Sequence, residues 1–288
     1  MQPASERSAL AAMGDVLSPE VLAAVQALYR GEQDRLATAQ PVTLADAAYG
    51  DDPRQTLDLY ALGSADAPVP VMLWVHGGGF VRGEKRSPSH PFNAHAGRWA
   101  ARHGMLGAVM NYRFAPEHRW PAGGEDVGAA IDWLRAHAAE HGGDPDRIVA
   151  VGTSAGAVHV ATHLKLRGGD GSGGGLAGAV LLSGLYGFTP LDPRDELYYG
   201  TQDLYPARMP LDAVVATELP LLIAGAEYDP PRFQAELGKL LVARLARHGV
   251  LPRNYIASGH NHFSLAYHLG TTDTRLGDEI LSFIGDRA

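Results

Sequence analysis

Short apolar runs alternate along this chain with longer stretches in which apolar residues return every three or four positions. The short runs are Val69 to His76, Leu106 to Tyr112, Arg147 to Val151, Leu176 to Ser183, Pro220 to Ala226 and Arg253 to Ala257, preceded by the alternating Thr56-Leu57-Asp58-Leu59-Tyr60. The longer, helix-like stretches between most of them are Pro91–His103, Glu125–His141, Ala155–Arg167, Pro231–His248 and Thr272–Asp286. Apolar strands alternating with helices predict an α/β fold, a mostly parallel twisted sheet with helices on both faces. Residues 18–30 predict one more helix, capped by Ser18, with Pro19 at its first position and Gly31 at its end. Its face is Val21, Leu22, Val25, Leu28 and Tyr29, and it precedes every strand, so it is expected to lie on the domain. The Gly168–Gly175 tract reads as a surface loop between a helix and a strand.

Segment 184–217 breaks the alternation. It carries Leu185, Tyr186, Phe188, Leu191, Tyr198, Tyr199, Leu204 and Tyr205, interrupted by Pro190, Pro193, Pro206 and Pro210. An aromatic excursion of this length at a strand's carboxyl end predicts a lid or pocket wall, the alternative being a loop packed on the core edge. The chain thus reads as one domain over residues 1–288, with a small cap built from about 1–45 and 184–217.

Composition narrows the classes. With 288 residues, 45% hydrophobic, the chain can bury a large single core. A net charge of -8 without any basic run argues against nucleic acid and against an anionic membrane surface. The absence of cysteine excludes disulfides, thiolate catalysis and Cys-ligated metals. Met1 to Asp15 has no basic patch followed by an apolar run, and no stretch of about 18 apolar residues exists, so neither a signal peptide nor a membrane span is expected and a cytoplasmic location is.

The chemistry-bearing stretch is Gly152-Thr153-Ser154-Ala155-Gly156, at the corner between a buried-type strand and a helix. A Ser between two glycines at such a corner reads as a nucleophile elbow, where strained dihedrals expose the hydroxyl above the sheet. A serine hydroxyl needs a base, and the base needs an acid that fixes its tautomer. Two strand ends lie downstream. One runs into Glu227-Tyr228-Asp229 and the other into Ser258-Gly259-His260-Asn261-His262. Asp229, stiffened by Pro230-Pro231, is the preferred acid, with Glu227 as alternative. His262, followed by Phe263, is the preferred base, with His260 as alternative. The order Ser, acid, His is that of α/β-hydrolases. The glycines of His76-Gly77-Gly78-Gly79-Phe80 allow backbone amides to approach a substrate oxygen, and the amide of Ala155 points the same way. A phosphate-cradling loop is excluded there, since Gly83 is followed by Glu84 where such a loop needs Lys.

Four motifs in order carry a family resemblance: His76-Gly77-Gly78-Gly79, then Asn111-Tyr112-Arg113-Phe114-Ala115-Pro116-Glu117-His118, then Gly143-Asp144-Pro145 with Arg147, then Gly-Thr-Ser-Ala-Gly, with Asp229 and His262 beyond. From about residue 55 onward the chain resembles the bacterial hormone-sensitive-lipase-like carboxylesterases of the α/β-hydrolase superfamily. The ending Gly259-His260-Asn261-His262-Phe263 is similar to the kynurenine-formamidase-like branch, where His precedes Phe. The resemblance implies an α/β-hydrolase fold, a triad of Ser154, Asp229 and His262, oxyanion donors at Gly78, Gly79 and Ala155, and a structural brace at Arg113–Glu117. The expected function is cofactor-independent hydrolysis of short-chain or small aromatic carboxylic esters through an acyl-enzyme. An arylformamidase using the same triad is the alternative, and a non-catalytic receptor on the same fold a remote one. Phe80, Tyr186, Phe188, Tyr198 and Tyr199 are expected to line the pocket. The expected partner is a small-molecule ester, with homodimerisation left open. His137-Ala138-Ala139-Glu140-His141 matches a zinc-protease pattern, but it ends a helix where histidines meet the negative terminus and lacks a third ligand nearby, so no metal is expected.

Overall fold

The computed structural model describes residues 2–63, 67–169 and 173–286. Eight strands form one sheet: β1 (Leu44–Ala48), β2 (Thr56–Tyr60), β3 (Val69–Val75), β4 (Leu106–Met110), β5 (Gly143–Thr153), β6 (Gly178–Leu182), β7 (Leu221–Tyr228) and β8 (Arg253–Asn261). Their order is β1-β2-β4-β3-β5-β6-β7-β8. β1 and β2 pair antiparallel, as do β2 and β4, and every other pairing is parallel. The helices are α1 (Ala4–Met13), α2 (Pro19–Ala39), α3 (Ala94–Arg102), α4 (Ala122–His137), α5 (Ala155–Arg167), α6 (Glu196–Tyr199), α7 (Tyr205–Arg208), α8 (Leu211–Ala216), α9 (Pro231–His248), α10 (His262–Tyr267) and α11 (Arg275–Gly285).

The central strands are apolar on both faces because both are covered. Val71, Leu73 and Val75 of β3 enter a core with Val127, Ile131 and Leu134 of α4, Ala157, Val160 and Leu164 of α5, Val214 of α8 and Leu240 of α9. Met72 and Trp74, the alternate residues, enter the opposite core with Trp99 of α3, Leu265 of α10 and Leu276, Ile280 and Phe283 of α11. Each Leu, Ile or Phe so buried stabilises the fold by about 1.5–3 kcal/mol over its exposed state. A smaller layer of Leu10, Val25, Tyr29 and Phe92 seats α1 and α2 over this second face, against Phe263 and Tyr267.

Several expected boundaries move. α2 does not stop at Gly31 but runs to Ala39, ending before Pro41. A glycine inside a helix costs about 1 kcal/mol relative to Ala, and the packing of Val25, Tyr29 and Gln33 outweighs that here. α4 begins at Ala122, three residues before the expected Glu125, and yields to one 3-10 turn over Ala138–His141. β5 begins at Gly143 and β8 continues to Asn261, four residues past its expected end. α1, β1 and α10 carry no strong sequence signal: α1 buries only Leu10, and β1 reads Leu-Ala-Asp-Ala-Ala, with no β-branched residue. The Gly168–Gly175 loop lies partly outside the described residues. Segment 184–217 holds α6, α7 and α8. Among the described residues no helix is long and apolar enough to cross a membrane.

Candidate active site

The corner after β5 is a sharp one. Ser154 has φ 53 and ψ -120, a left-handed conformation that costs a non-glycine residue about 1–3 kcal/mol. Its amide donates to the Leu182 carbonyl at 2.8 Å, tying the strained residue to β6. Gly156 lies so close to β3 that a Cβ there would overlap the Val75 and His76 carbonyls, and one at Gly152 would press on the Gly156 backbone at 2.5 Å. Both glycines flanking Ser154 are therefore required by close backbone approach.

The candidate acid and base arrive from the two neighbouring strand ends. Asp229 follows β7 and His262 follows β8. His262 Nε2 lies 3.0 Å from Ser154 Oγ, and His262 Nδ1 lies 2.8 Å from Asp229 Oδ1. The second carboxylate oxygen accepts from the Ser183 hydroxyl and, at 2.8 Å, from the Ala226 amide. Asp229 is 2% exposed and His262 7%, so the pair lies largely out of solvent. The phenyl ring of Phe233 lies 4.4 Å from the imidazole of His262, and Phe263 meets it edge-on at 5.8 Å. The alternatives are engaged elsewhere. Glu227 accepts from Ser258 Oγ (2.8 Å) and the Gly259 amide (2.6 Å), and this amide holds its carboxyl below the usual range. His260 turns away to Ser264 and Asp273.

The glycine loop follows β3 beside the elbow. Gly78 has φ 139, and a Cβ there would overlap the Arg82 carbonyl, so only glycine fits. Gly79 also lies in the left-handed region, at φ 59, and Val81 donates to the Gly78 carbonyl at 3.3 Å. Three braces hold the loop. His76 stacks on Tyr112 at 4.4 Å, and burial pushes its imidazole down to about 4, so it stays neutral. Arg54 donates to the Tyr112 carbonyl (2.7 Å) and the Gly83 carbonyl (3.0 Å) with its guanidinium 3.6 Å from the Phe114 ring centroid. Beyond the loop, Lys85 and Arg86 both bridge Asp46 and Asp58, with Lys85 Nζ 2.6 Å from the fully buried Asp58. Arg113, expected as a brace, donates its amide (2.7 Å) and Nε (2.9 Å) to Asp126 of α4.

The expected pocket residues divide. Phe80 stacks on Tyr198 at 4.4 Å and meets Tyr199 edge-on at 5.9 Å, in a cluster that contains Ala155, Val158 and Tyr205. Tyr186 and Phe188 are not in that cluster. Tyr186 is 1% exposed within the core beneath the sheet, and Phe188 packs against the same core. The buried carboxylate of Glu236 fixes this stretch by accepting from the amides of Tyr186 (2.9 Å) and Thr189 (2.7 Å). Of the zinc-like pattern, His137 stacks on Trp133 at 4.5 Å and its Nδ1 meets the Trp133 carbonyl at 2.8 Å. Sequence reasoning missed Ser183, Arg54, Asp46, Asp58, Lys85 and Arg86. No local signal sets Asp58 apart, since it takes a polar position of the alternating run Thr56–Tyr60.

A family model described as BD-FAE matches residues 57–172. Esterase LipC of Mycobacterium tuberculosis is 40% identical over 109 residues, covering 38% of this chain and 26% of that protein. Carboxylesterase NlhH of the same organism is 42% identical over 88 residues, 31% of this chain and 26% of that protein. The aligned stretch thus spans about a quarter of the length of these two relatives. Among solved structures, the hyperthermophilic esterase from the archaeon Pyrobaculum calidifontis superposes with a TM-score of 0.68 at 22% identity, covering 94% of this chain and 98% of that one. Esterase Est22 superposes with a TM-score of 0.68 at 19% identity, covering 94% and 93%. The chain has the α/β-hydrolase fold, and over part of its length it is similar to bacterial carboxylic ester hydrolases.

Proposed function

We propose that the protein is a serine hydrolase of carboxylic esters that works through an acyl-enzyme. One observation carries the reading: Ser154, His262 and Asp229 form a hydrogen-bonded chain of 3.0 and 2.8 Å across residues far apart in sequence. Asp229 holds the His262 proton on Nδ1, which leaves the Nε2 lone pair facing Ser154 Oγ. Ser154 Oγ attacks the ester carbonyl carbon as its proton passes to His262 Nε2. The carbonyl oxygen becomes an oxyanion, and the amides of Gly78, Gly79 and Ala155 donate to it, the last at the positive end of α5. Collapse breaks the bond to the alcohol oxygen, which takes the proton from His262. Water then attacks the acyl-enzyme, giving its proton to His262, and the carboxylic acid leaves as Ser154 recovers that proton. Each step uses a group of this chain, so no cofactor is required.

The substrate is a short-chain or small aromatic ester. The wall beside Ala155 is made of Phe80, Tyr198 and Tyr199, rings locked against one another and buried. A rigid wall cannot open for a long acyl chain, and each methylene left without apolar surface forgoes about 0.8 kcal/mol. The decisive experiment is a panel of p-nitrophenyl esters with wild type and Ser154→Ala. Wild type should show kcat/KM greatest at about C2–C6. Ser154→Ala should lose at least about 10³-fold in kcat while remaining folded. An optimum at C12 or beyond would overturn the substrate class, and an active Ser154→Ala would overturn the mechanism. Faster turnover of a formylated aromatic amine than of any ester would move the protein to amide hydrolysis with the same residues.

A further inference from the structure

A second histidine–carboxylate couple lies buried directly behind the first. His260, Ser264, His268 and Asp273 are 1%, 0%, 1% and 2% exposed. His260 Nε2 is 3.2 Å from Asp273 Oδ2, and His260 Nδ1 is 3.1 Å from Ser264 Oγ. Arg275 grips Asp273 through both carboxylate oxygens, with Nε 2.8 Å from Oδ1 and Nη2 on Oδ2. The imidazole of His268 stacks on that of His260 at 3.9 Å, and its Nδ1 donates to the Ser264 carbonyl at 2.7 Å.

Hydrogen-bond roles in this cluster follow from the charges. Arg275 holds the Asp273 carboxyl well below the usual range, so the carboxylate can only accept. His260 must then carry its proton on Nε2, and its Nδ1 becomes an acceptor. The Ser264 hydroxyl shares its proton between that Nδ1 at 3.1 Å and the Asn261 carbonyl at 3.2 Å, and its oxygen accepts the Asn261 amide at 2.8 Å. The Ser264 amide in turn donates to Asn261 Oδ1 at 3.0 Å, closing a capping box around the first turn of α10. His262 is the first residue of that turn. His260, His268 and Asp273 are close enough to share a metal ion. However, the guanidinium already occupying both oxygens of Asp273 would repel a cation, so hydrogen bonding is the use this geometry favours.

We propose that His260, whose tautomer Asp273 sets, is a positioning residue: through Ser264 it fixes the turn that aims His262 at Ser154 and Asp229. The inference rests on Ser154 and His262 being the reacting pair. The argument for an effect is geometric. The turn must satisfy two bonds of His262 at once, and a displacement of about 1 Å at a catalytic group costs roughly 10²-fold in rate.

Two substitutions separate the contacts of His260. In His260→Asn the side-chain oxygen falls where Nδ1 stood and can still accept from Ser264. In His260→Gln the amide falls where Nε2 stood, keeping Asp273 and losing Ser264. With p-nitrophenyl acetate, His260→Gln should lower kcat about ten- to hundredfold with KM near wild type, and His260→Asn should recover most of that loss. Labelling of Ser154 by a fluorophosphonate should slow by the same ranking, with melting temperatures measured on both variants. Wild-type kcat in His260→Gln would overturn the inference. So would equal losses in both variants that follow melting temperature alone, since that is packing rather than aim. Ser154→Ala is run beside them. If it is inactive while His260→Gln is unimpaired, this inference alone falls; if it is active, the triad reading falls and takes this one with it.

Discussion

Two carboxylates stand two residues apart at the end of β7, and their surroundings give them different work. Asp229 is buried and shares its oxygens among His262, Ser183 and the Ala226 amide. Glu227 is exposed and spends one oxygen on Ser258 and Gly259, bracing the turn before the histidines. An acid that must fix a tautomer needs the first environment, because a carboxylate facing solvent has its charge screened and its orientation loose. Asp229→Asn should lower kcat/KM by roughly 10³–10⁴-fold, the amide permitting the wrong imidazole tautomer. Glu227→Gln should stay within about tenfold, since it removes only a surface brace. Steady-state kinetics on both variants check this, and the reverse ranking would transfer the acid to Glu227. Ser183 adds a detail of the same scale. It is buried with φ 46, a second strained serine one strand over from Ser154, and its hydroxyl is spent on the carboxylate.

At the scale of elements, the elbow is a contact between α5 and β3 as much as a turn. Gly156 sits in the first turn of α5 against the carbonyls of Val75 and His76, the residues that lead into the glycine loop. Gly156→Ala should push helix and loop apart. It is expected to lower stability by about 1–3 kcal/mol, as overpacking does, and to reduce kcat well beyond that of a surface mutant of equal stability. Thermal melts with kinetics at a temperature where the variant is fully folded test this; undiminished kcat would show that the loop does not depend on the contact. The same element explains what could be read beforehand. The elbow was legible because its glycines, its preceding apolar strand and its following helix are all local. Asp229 and His262 were legible because strands of a parallel sheet deliver their carboxyl ends to one edge, so the order of strand ends lists the candidates. Ser183, Arg54 and the Asp58–Lys85 pair were not, because their meaning is a partner tens of residues away. Tyr186, expected at the pocket, packs within a core cluster, and an aromatic residue beside a site and one in a core have the same local spelling. α2 overran Gly31 because tertiary burial overrides a single unfavourable residue.

For the whole molecule, the buried histidines outside the proposed triad link stability to pH. Burial lowers His76, His95 and His163 to about 4 and His268 to about 3. In the unfolded chain each returns to about 6.5. Folded values below unfolded ones mean that the unfolded state binds more protons in between. Their contribution is therefore full above about pH 6.5 and is lost as pH falls toward 4. Unfolding free energies from urea titrations should drop from pH 7 to pH 5 by on the order of 1 kcal/mol or more per pH unit. A flat profile across that window would mean these imidazoles are protonated in the native state. The sheet order has a different kind of consequence. The candidate site takes the glycine loop from β3, the nucleophile from β5, Ser183 from β6, the acid from β7 and the base from β8, and β8 is the outermost strand on its side. No subset of neighbouring strands holds a working constellation, and the base turn closes only when this border strand has docked under α1. Under the proposed mechanism, turnover therefore reports a completed sheet: it requires β3, β5, β6, β7 and β8 to be in place together.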